Sequence, residues 1–262
     1  MNSKNIFREP RTLDVLEWDD IQNELRSHAQ TSLGAKRALS WIPGKWNAEK
    51  VFRSSNAVLQ IAELKKESDI RIPLLDLPDV SETLKRISRG AALVVEEFAN
   101  LLRFHKGVQS LAQFQLRYAL TKKFLAQEMQ GFEFLEDWSK KHFSMLDSQG
   151  QLADSASEDL RALRKLYRDL KEKIQRKLED YLQNPKLAEL MQDFYITLRD
   201  GRYVLPIKNN FKGRVPGIIH DVSNSEQTFF VEPQEVVELN NQLKHVEKEI
   251  EAEIERILQE VV

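Results

Sequence analysis

Apolar residues recur at intervals that alternate mostly between three and four along the segment from Pro233 to Val262. This spacing places them on one face of a helix and is typical of a coiled-coil seam. The segment from Ser157 to Asn184 repeats the same spacing. The pattern therefore predicts two long helices, each of which needs a partner for its apolar face. The seam positions are Leu160, Leu163, Tyr167, Leu170, Ile174, Leu178 and Tyr181 in the earlier segment, and Val236, Leu239, Leu243, Val246, Ile250, Ile254, Ile257 and Val261 in the later one.

Charged residues beside the two seams have opposite signs. Opposite charges beside matching seams favour pairing of these two helices over self-pairing of either one. We therefore expect two long antiparallel arms; the alternative is two ordinary amphipathic helices that each face a core. The earlier segment is basic at Arg161, Arg164, Lys165, Arg168, Lys171, Lys173, Arg176 and Lys177, and the later one is acidic at Glu247, Glu249, Glu251, Glu253, Glu255 and Glu260.

Between the arms, from Phe194 to Val231, the hydrophobic pattern changes from a helical to an alternating one. Asp200-Gly201, which interrupts the first alternating run, is a dipeptide that type I′ hairpin turns prefer. A polar stretch separates two later runs in the same way. The pattern predicts one small antiparallel sheet of two hairpins, with strands at 195–199, 202–207, 218–222 and 228–231.

The chain before residue 157 reads as a series of amphipathic helices punctuated by Pro and Gly, which predicts a helical core. The expected fold class is mainly α: a helical core and two long antiparallel arm helices, with a small antiparallel β domain inserted between the arms. The second arm shows no helix stop signal before Val262, so we interpret the chain as a piece of a longer protein. The predicted divisions are 1–156 for the core, 157–193 for the first arm, 194–231 for the β domain and 232–262 for the second arm, which begins at Glu232-Pro233.

Composition narrows the classes of function. The chain has 262 residues, no cysteine and a formal net charge of −2. Without cysteine, disulfides, thiolate zinc sites and cysteine nucleophiles are excluded. The near-neutral charge argues against a globally basic nucleic-acid binder but leaves room for local basic patches. The start of the chain is polar and no apolar run reaches membrane-spanning length, so we expect a cytoplasmic protein that does not contact membranes.

Catalytic motifs are absent from the sequence. It contains neither a GxxxxGK[ST] phosphate loop nor GxGxxG, and its five histidines lack HxxxH or HExxH spacing. Asp200, Asp221, Glu226 and Glu232 could in principle gather into a carboxylate metal site. Two of these four lie in predicted turns, where acidic residues are common for backbone reasons alone. We therefore expect no catalytic residue, no cofactor and no metal in this chain.

One local cluster of basic residues lies around the first predicted hairpin and the loop that follows it. Aromatic residues are interleaved with these cations, and only Asp200 opposes them. Cationic side chains on an exposed tip suit contact with phosphate backbones, which supplies sequence-independent affinity. The alternative is a sheet edge that charge protects from aggregation. The candidate nucleic-acid-binding residues are Arg199, Arg202, Lys208, Lys212 and Arg214.

These same residues carry a resemblance to a known family. The segments RDGRYVLPIK and GRVPGIIHDVSNSEQTFFVEPQEVVELNNQL closely resemble the clamp region of the second branch of the MutS family, whose members suppress recombination. LEWDDI, at Leu16 to Ile21, and TSLGAKRAL, at Thr31 to Leu39, are similar to the opening of that branch. DLPDVSETLKRISRGAALVVEEF is similar to its early core helices. The resemblance covers nearly the whole chain, and the clamp stretch is highly specific.

The resemblance implies a helical core, two lever helices and a β clamp between them. Members of the family are dimeric ATPases that embrace branched DNA, and some act at stalled or collided ribosomes. Many carry a C-terminal Smr module with endonuclease activity. The resemblance therefore implies that the ATPase, with its ATP and Mg²⁺, and the Smr module would follow Val262. Two functions stay open: a module that embraces branched DNA as part of a homodimer, and a mechanical module that contacts a ribosome or another protein.

Overall fold

The computed structural model describes residues 10–40, 48–68, 72–74, 77–131 and 136–261. Backbone packing divides the chain into two compact units, one up to Gln151 and one from Leu152 to Val261. The chain is mainly helical with one small antiparallel sheet, which confirms the predicted fold class. The domain limits proposed from the sequence at 156, 193 and 231 stay predictions. No helix in these described ranges is long and apolar enough to cross a bilayer.

The first unit is helical throughout its described elements. Its longest helix, α6 (Val95–Tyr118), buries Phe98 completely and packs that ring edge-on against Trp138 and His142 of α8 (Glu136–Phe143), with ring centroids 6.5 Å and 6.1 Å away. Thr31 caps the start of α3 (Ser32–Leu39), and its hydroxyl accepts a hydrogen bond of 3.0 Å from the backbone N–H of Gly34. The helices are α1 (Pro10–Val15), α2 (Trp18–Ser27), α3 (Ser32–Leu39), α4 (Ala48–Ser68), α5 (Ser81–Ile87), α6 (Val95–Tyr118), α7 (Lys123–Glu128) and α8 (Glu136–Phe143).

The second unit consists of two long helices, one short helix and four strands. Ser157 caps α9 (Glu158–Gln183), and its hydroxyl accepts a hydrogen bond of 2.9 Å from the backbone N–H of Leu160. Asn184 and Pro185 end α9, because Pro185 lacks a backbone N–H and begins α10 instead. The elements are α9 (Glu158–Gln183), α10 (Pro185–Ala188), β1 (Thr197–Arg199), β2 (Arg202–Lys208), β3 (Gly217–Val222), β4 (Thr228–Pro233) and α11 (Gln234–Gln259).

Helices α9 and α11 pack along each other in antiparallel orientation. At one end Ser157 donates a hydrogen bond of 2.6 Å to Glu253, and at the other Tyr181 and Glu235 line the same cavity. These contacts join the start of α9 to the end of α11 and the reverse, so the predicted antiparallel arms are confirmed. Within the described residues, no ion pair connects the basic side chains of α9 to the acidic side chains of α11. The apolar seam therefore holds the arms together, and the opposite charges add no direct contact.

The sheet has the strand order β1-β2-β4-β3, with every neighbouring pair antiparallel. Both predicted hairpins form. Strand β4 continues to Pro233, two residues further than the sequence pattern suggests, because Glu232 and Pro233 pair with Ile218 and Gly217 of β3. A Cβ atom at Gly217 would collide with the backbone carbonyl of Glu232, so this close approach requires glycine. Helix α11 consequently begins at Gln234 rather than at Glu232.

One face of the sheet packs against the end of α9 and the start of α11, which are the helix ends that the sheet segment connects. The shared core contains the second half of the α9 seam and the first half of the α11 seam, together with side chains of β2 and β4. A single apolar core therefore fixes the sheet to both arms at once, and the sheet cannot move independently of them without exposing that core. Its buried members include Ile174, Leu178, Leu205, Ile207, Val231, Val236 and Leu243.

Glu253 makes the far end of the arm pair sensitive to pH. Hydrogen bonds from Arg256 and Ser157 hold the pKa of this carboxyl below its ordinary value. A depressed pKa stabilises the fold above the unfolded pKa, near pH 4 to 5, and that stabilisation is lost as pH falls through the folded pKa. We expect Glu253→Gln to lower the free energy of unfolding by about 1–2 kcal/mol at pH 7.

The pH profile provides the check on this prediction. The difference in the free energy of unfolding between the wild type and Glu253→Gln should shrink steadily as urea titrations are moved from pH 7 to pH 3. Glu251→Gln is the control, because Glu251 is exposed on the same helix, and it should show no such difference. A difference that is constant with pH would mean that the charge of Glu253 does not matter.

Candidate nucleic-acid interface

The first hairpin turns through Asp200 and Gly201, which have φ angles of 50° and 74°. Positive φ at both central residues is the requirement of a type I′ turn, as the sequence predicts. The turn places Arg199 directly opposite Arg202 across β1 and β2. Like charges that face each other across strands repel, so each arginine needs its own negative partner.

Arg199 finds its partner on the edge strand β3. Its Nε lies 2.9 Å from a carboxylate oxygen of Asp221, and its guanidinium lies 3.8 Å above the ring centroid of Phe230. About a third of the side chain remains exposed. Its Nη1 also donates hydrogen bonds to the backbone carbonyl of Leu198 (2.8 Å) and to the hydroxyl of Thr197 (3.2 Å). Among the described contacts, Nη2 is therefore the nitrogen left for a phosphate.

Arg202 points into the protein rather than outward. Its Nη1 donates a hydrogen bond of 2.8 Å to Glu232, and its Nη2 donates one of 2.6 Å to Asn241 of α11. Glu232 is fully buried, and its second oxygen lies 2.6 Å from Nε2 of His220. His220 sits at the irregularity in the β3–β4 register, which is the type of bulge that redirects a side chain.

Asn240 completes this buried polar network from α11. Its amide nitrogen donates a hydrogen bond of 2.7 Å to Glu232, and its amide also bonds to both the N–H and the C=O of Tyr203 at 3.2 Å. Every polar atom of the Glu232 carboxylate therefore has a partner, as a buried charge requires. The network ties β2, β3 and β4 to the first turns of the second arm, and Arg202 belongs to this network rather than to the exposed surface.

The other three candidates lie at the end of β2 and in the loop after it. Lys208 is half-buried, and its Nζ donates a hydrogen bond of 3.1 Å to the backbone carbonyl of Glu189. Lys212 is exposed, with its Nζ 4.9 Å from the ring centroid of Phe229. Arg214 is exposed and forms no ion pair within the described residues. Lys212 and Arg214 are thus the two candidates with cationic groups most open to a phosphate.

The carboxylates considered from the sequence do not gather into a metal site. Asp221 pairs with Arg199, and Glu232 pairs with Arg202. Among the residues that the structure describes, no group of three or more His, Asp or Glu side chains is placed to hold a metal ion. Sequence reasoning missed the roles of His220, Asn240 and Asn241. Asn240 carried a signal, since it is a polar residue on the apolar face of α11, between Val236 and Leu243.

Curated proteins that share one name resemble this chain over nearly its whole length. The chain is 31% identical over 96% of its length to a protein named Endonuclease MutS2 from a Geobacillus species. It is 32% identical over 94% of its length to the protein of that name from Listeria innocua, and 30% identical over 95% to that from Bacillus cereus. No family model matches the chain. The chain spans about a third of the length of these relatives, and the alignments show that it is a homologue of the MutS2 family over nearly its entire sequence.

Proposed function

We propose that this chain forms the core, lever and clamp part of a MutS2-like ATPase that embraces branched DNA and suppresses homologous recombination. In this proposal the second unit supplies the clamp, which is the sheet β1–β4, and the levers, which are α9 and α11. The observation that carries the proposal is the cationic tip, where Lys212 and Arg214 project from an exposed loop beside Lys208. Homology to proteins named endonucleases supports a nucleic-acid partner.

The physical role proposed for the tip is contact with phosphates. Cations in a surface loop bind a phosphate backbone regardless of base sequence, and each neutralised phosphate releases counterions. The buried network then acts as the support, since it fixes the hairpin to the second lever. In this proposal the chain binds DNA but performs no chemistry, and ATP, Mg²⁺ and a second subunit act through other parts of the full-length protein.

The test is the salt dependence of binding to a four-way junction and to a duplex of the same length. Because the tip offers two exposed cations, Lys212 and Arg214, beside the half-buried Lys208, it should contribute a slope of about −2 to −3 in log affinity against log salt. Lys212→Gln with Arg214→Gln should make the slope less steep by about 2 on both DNAs. Lys244→Gln with Lys248→Gln is the matched control on the exposed face of α11.

Lys212 and Arg214 are chosen for the tip variant because neither is part of the buried network around Glu232. A charge change at Arg202 would disturb Glu232 as well, and its effect on binding would not report on phosphate contact. If the tip variant binds both DNAs with an unchanged slope, the tip is not the contact surface. The purified chain should also show no ATP turnover.

A second function rests on a different feature of the same sheet. The edge strand β3 exposes Ile218, Ile219 and Val222, each with more than a third of its surface accessible. Exposed apolar side chains on an edge strand suit contact with a protein or a ribosome. Co-sedimentation of the chain with ribosomes, lost in Ile218→Ser with Val222→Ser and unaccompanied by junction binding, would favour this mechanical and protein-contact role.

A further inference from the structure

The basic residues of the first arm remain unneutralised by the second arm. Between Arg161 and Lys177 the helix α9 carries eight basic residues and two acidic ones, Asp169 and Glu172. None of the eight forms an ion pair with α11 within the described residues. Arg164 is half-buried and already bonds to Asp154 and to the backbone carbonyl of Leu152. The exposed cations, among them Arg161, Lys165, Arg168 and Arg176, are available to another molecule.

Four of these cations form a stripe on the face of α9 opposite the apolar seam. Arg161, Lys165, Arg168 and Arg176 follow one another at intervals of four, three and eight residues, which keeps them on one side of a helix. The exposed Glu172 lies on the same side, between the last two. All four cations are exposed. We call this set the arm stripe. At 1.5 Å per residue it extends over about 22 Å.

The acidic partners of the arm stripe are few and weakly held. Arg168 lies 3.4 Å from Asp154, and Arg176 lies 3.2 Å from Glu172, both in exposed pairs. Exposed pairs of this kind contribute little and are easily exchanged for another anion. Arg161 and Lys165 form no ion pair within the residues that the structure describes.

The spacing of these charges disfavours the helix itself. Arg161 and Lys165 are four residues apart, and Lys165 and Arg168 are three apart. Like charges at these separations destabilise a helix by about 0.2–0.5 kcal/mol per pair. A folded arm gains nothing from such repulsion. A polyanion laid along the stripe would relieve it.

We infer that the arm stripe is a second contact surface for the phosphate backbone of duplex DNA, separate from the cationic tip of the sheet. This inference rests on the proposed function, because it takes the same partner. Arg161, Lys165 and Arg168 are one helical turn apart, about 5–6 Å along the arm, so these three can engage successive phosphates of one strand, and Arg176 lies about 12 Å further along. The contact is independent of sequence, since only the backbone is touched.

A second copy of the chain fits the stripe less well. The acidic arm α11 is the obvious counterpart, but Lys244 and Lys248 interrupt its exposed glutamates. A DNA strand offers a negative charge at every phosphate without such interruption. The charge pattern therefore favours DNA over self-association.

The test compares two variants that each remove three positive charges. Arg161→Gln, Lys165→Gln and Arg176→Gln together form the arm variant, in which glutamine preserves helix propensity. Lys106→Gln, Lys244→Gln and Lys248→Gln form the control. For duplex binding, the arm variant should make the slope of log affinity against log salt less steep by about 2–3, and the control by less than about 0.5. At 0.1 M salt the arm variant should bind at least tenfold more weakly.

Thermal unfolding separates a binding defect from a folding defect. Because the arm variant removes like-charge repulsion, its midpoint should equal or exceed that of the wild type. Weaker binding together with a lowered midpoint would overturn the inference, since loss of fold would then explain the loss of affinity.

Three other outcomes would also overturn it. If the arm variant keeps the wild-type slope while the Lys212 and Arg214 variant loses about 2, the proposed function stands and the arm stripe is not a contact. If the wild type itself binds no duplex, the proposed function fails along with the inference. If the arm variant changes only concentration-dependent self-association, measured by sedimentation, the stripe binds a second copy instead.

Discussion

Glu232→Gln is expected to lower the free energy of unfolding of the second unit by about 2–4 kcal/mol. This is a large effect for a substitution that keeps the shape of the side chain and removes only its charge. Glu232 is fully buried and accepts hydrogen bonds from Arg202 and Asn240, with His220 at 2.6 Å. The amide retains the shape of the carboxylate but removes its charge and replaces one acceptor with a donor. Arg202 would then be left facing an uncharged group in a half-buried position.

Hydrogen exchange locates the effect. The backbone amides of Val204 and Leu205 lie in the fully buried part of β2. The free energy of opening that hydrogen exchange measures at these amides should fall by the same amount, about 2–4 kcal/mol, which is the loss expected for the whole unit. Glu251→Gln, on the exposed face of α11, should leave these amides unchanged. A double-mutant cycle with Arg202→Met should give a coupling of about 1–3 kcal/mol, because the two side chains share one network. Additive effects would contradict the network as a unit.

This network also bears on the choice of residues for binding experiments. Arg202 is basic and lies beside the hairpin turn, so from the sequence it is indistinguishable from a phosphate contact. In the folded chain its guanidinium joins Glu232 to Asn241. A loss of binding in an Arg202 variant would therefore report on the position of the hairpin as well as on charge.

The arms and the hairpins follow from the sequence because their causes are local. Seam spacing places apolar residues on one helix face, and Asp200-Gly201 provides the two positive φ angles of its turn. The end of β4 does not follow in this way. Pro233 suggests the start of a helix, yet its pairing with Gly217, a residue sixteen positions earlier, keeps it in the sheet.

The candidate site could be predicted less completely than the fold. Sequence reasoning found the cationic cluster, but it could not show that Arg199 stacks on Phe230 or that Arg202 reaches Glu232, because the partners are distant along the chain. Similarly, the opposite charges beside the two seams predicted that charge would favour the pairing of the arms. The structure instead leaves most of the α9 cations exposed without a partner on α11, and pairs Arg164 with Asp154. Which way a charged side chain points depends on tertiary contacts, and periodicity along the chain does not report them.

The apolar seam should therefore carry the stability of the arm pair, and Leu178→Asp tests this directly. Leu178 is fully buried in the core that α9 shares with the sheet and α11. An aspartate there would place a charge with no partner among apolar side chains, which should cost more than about 4 kcal/mol. We expect the second unit to unfold in water or at very low urea concentration.

Leu166 provides a matched control on the same helix, because 44% of its surface is exposed. Leu166→Asp should change the free energy of unfolding by less than about 1 kcal/mol, which is the difference in helix propensity. Leu178→Ala should still fold and lose about 2–5 kcal/mol, the usual cost of a cavity at a buried leucine. All four tryptophans lie before residue 152, so tryptophan fluorescence follows the first unit and far-UV circular dichroism follows both. Equal losses at positions 166 and 178 would mean that helix propensity, rather than seam burial, determines the stability of the arms.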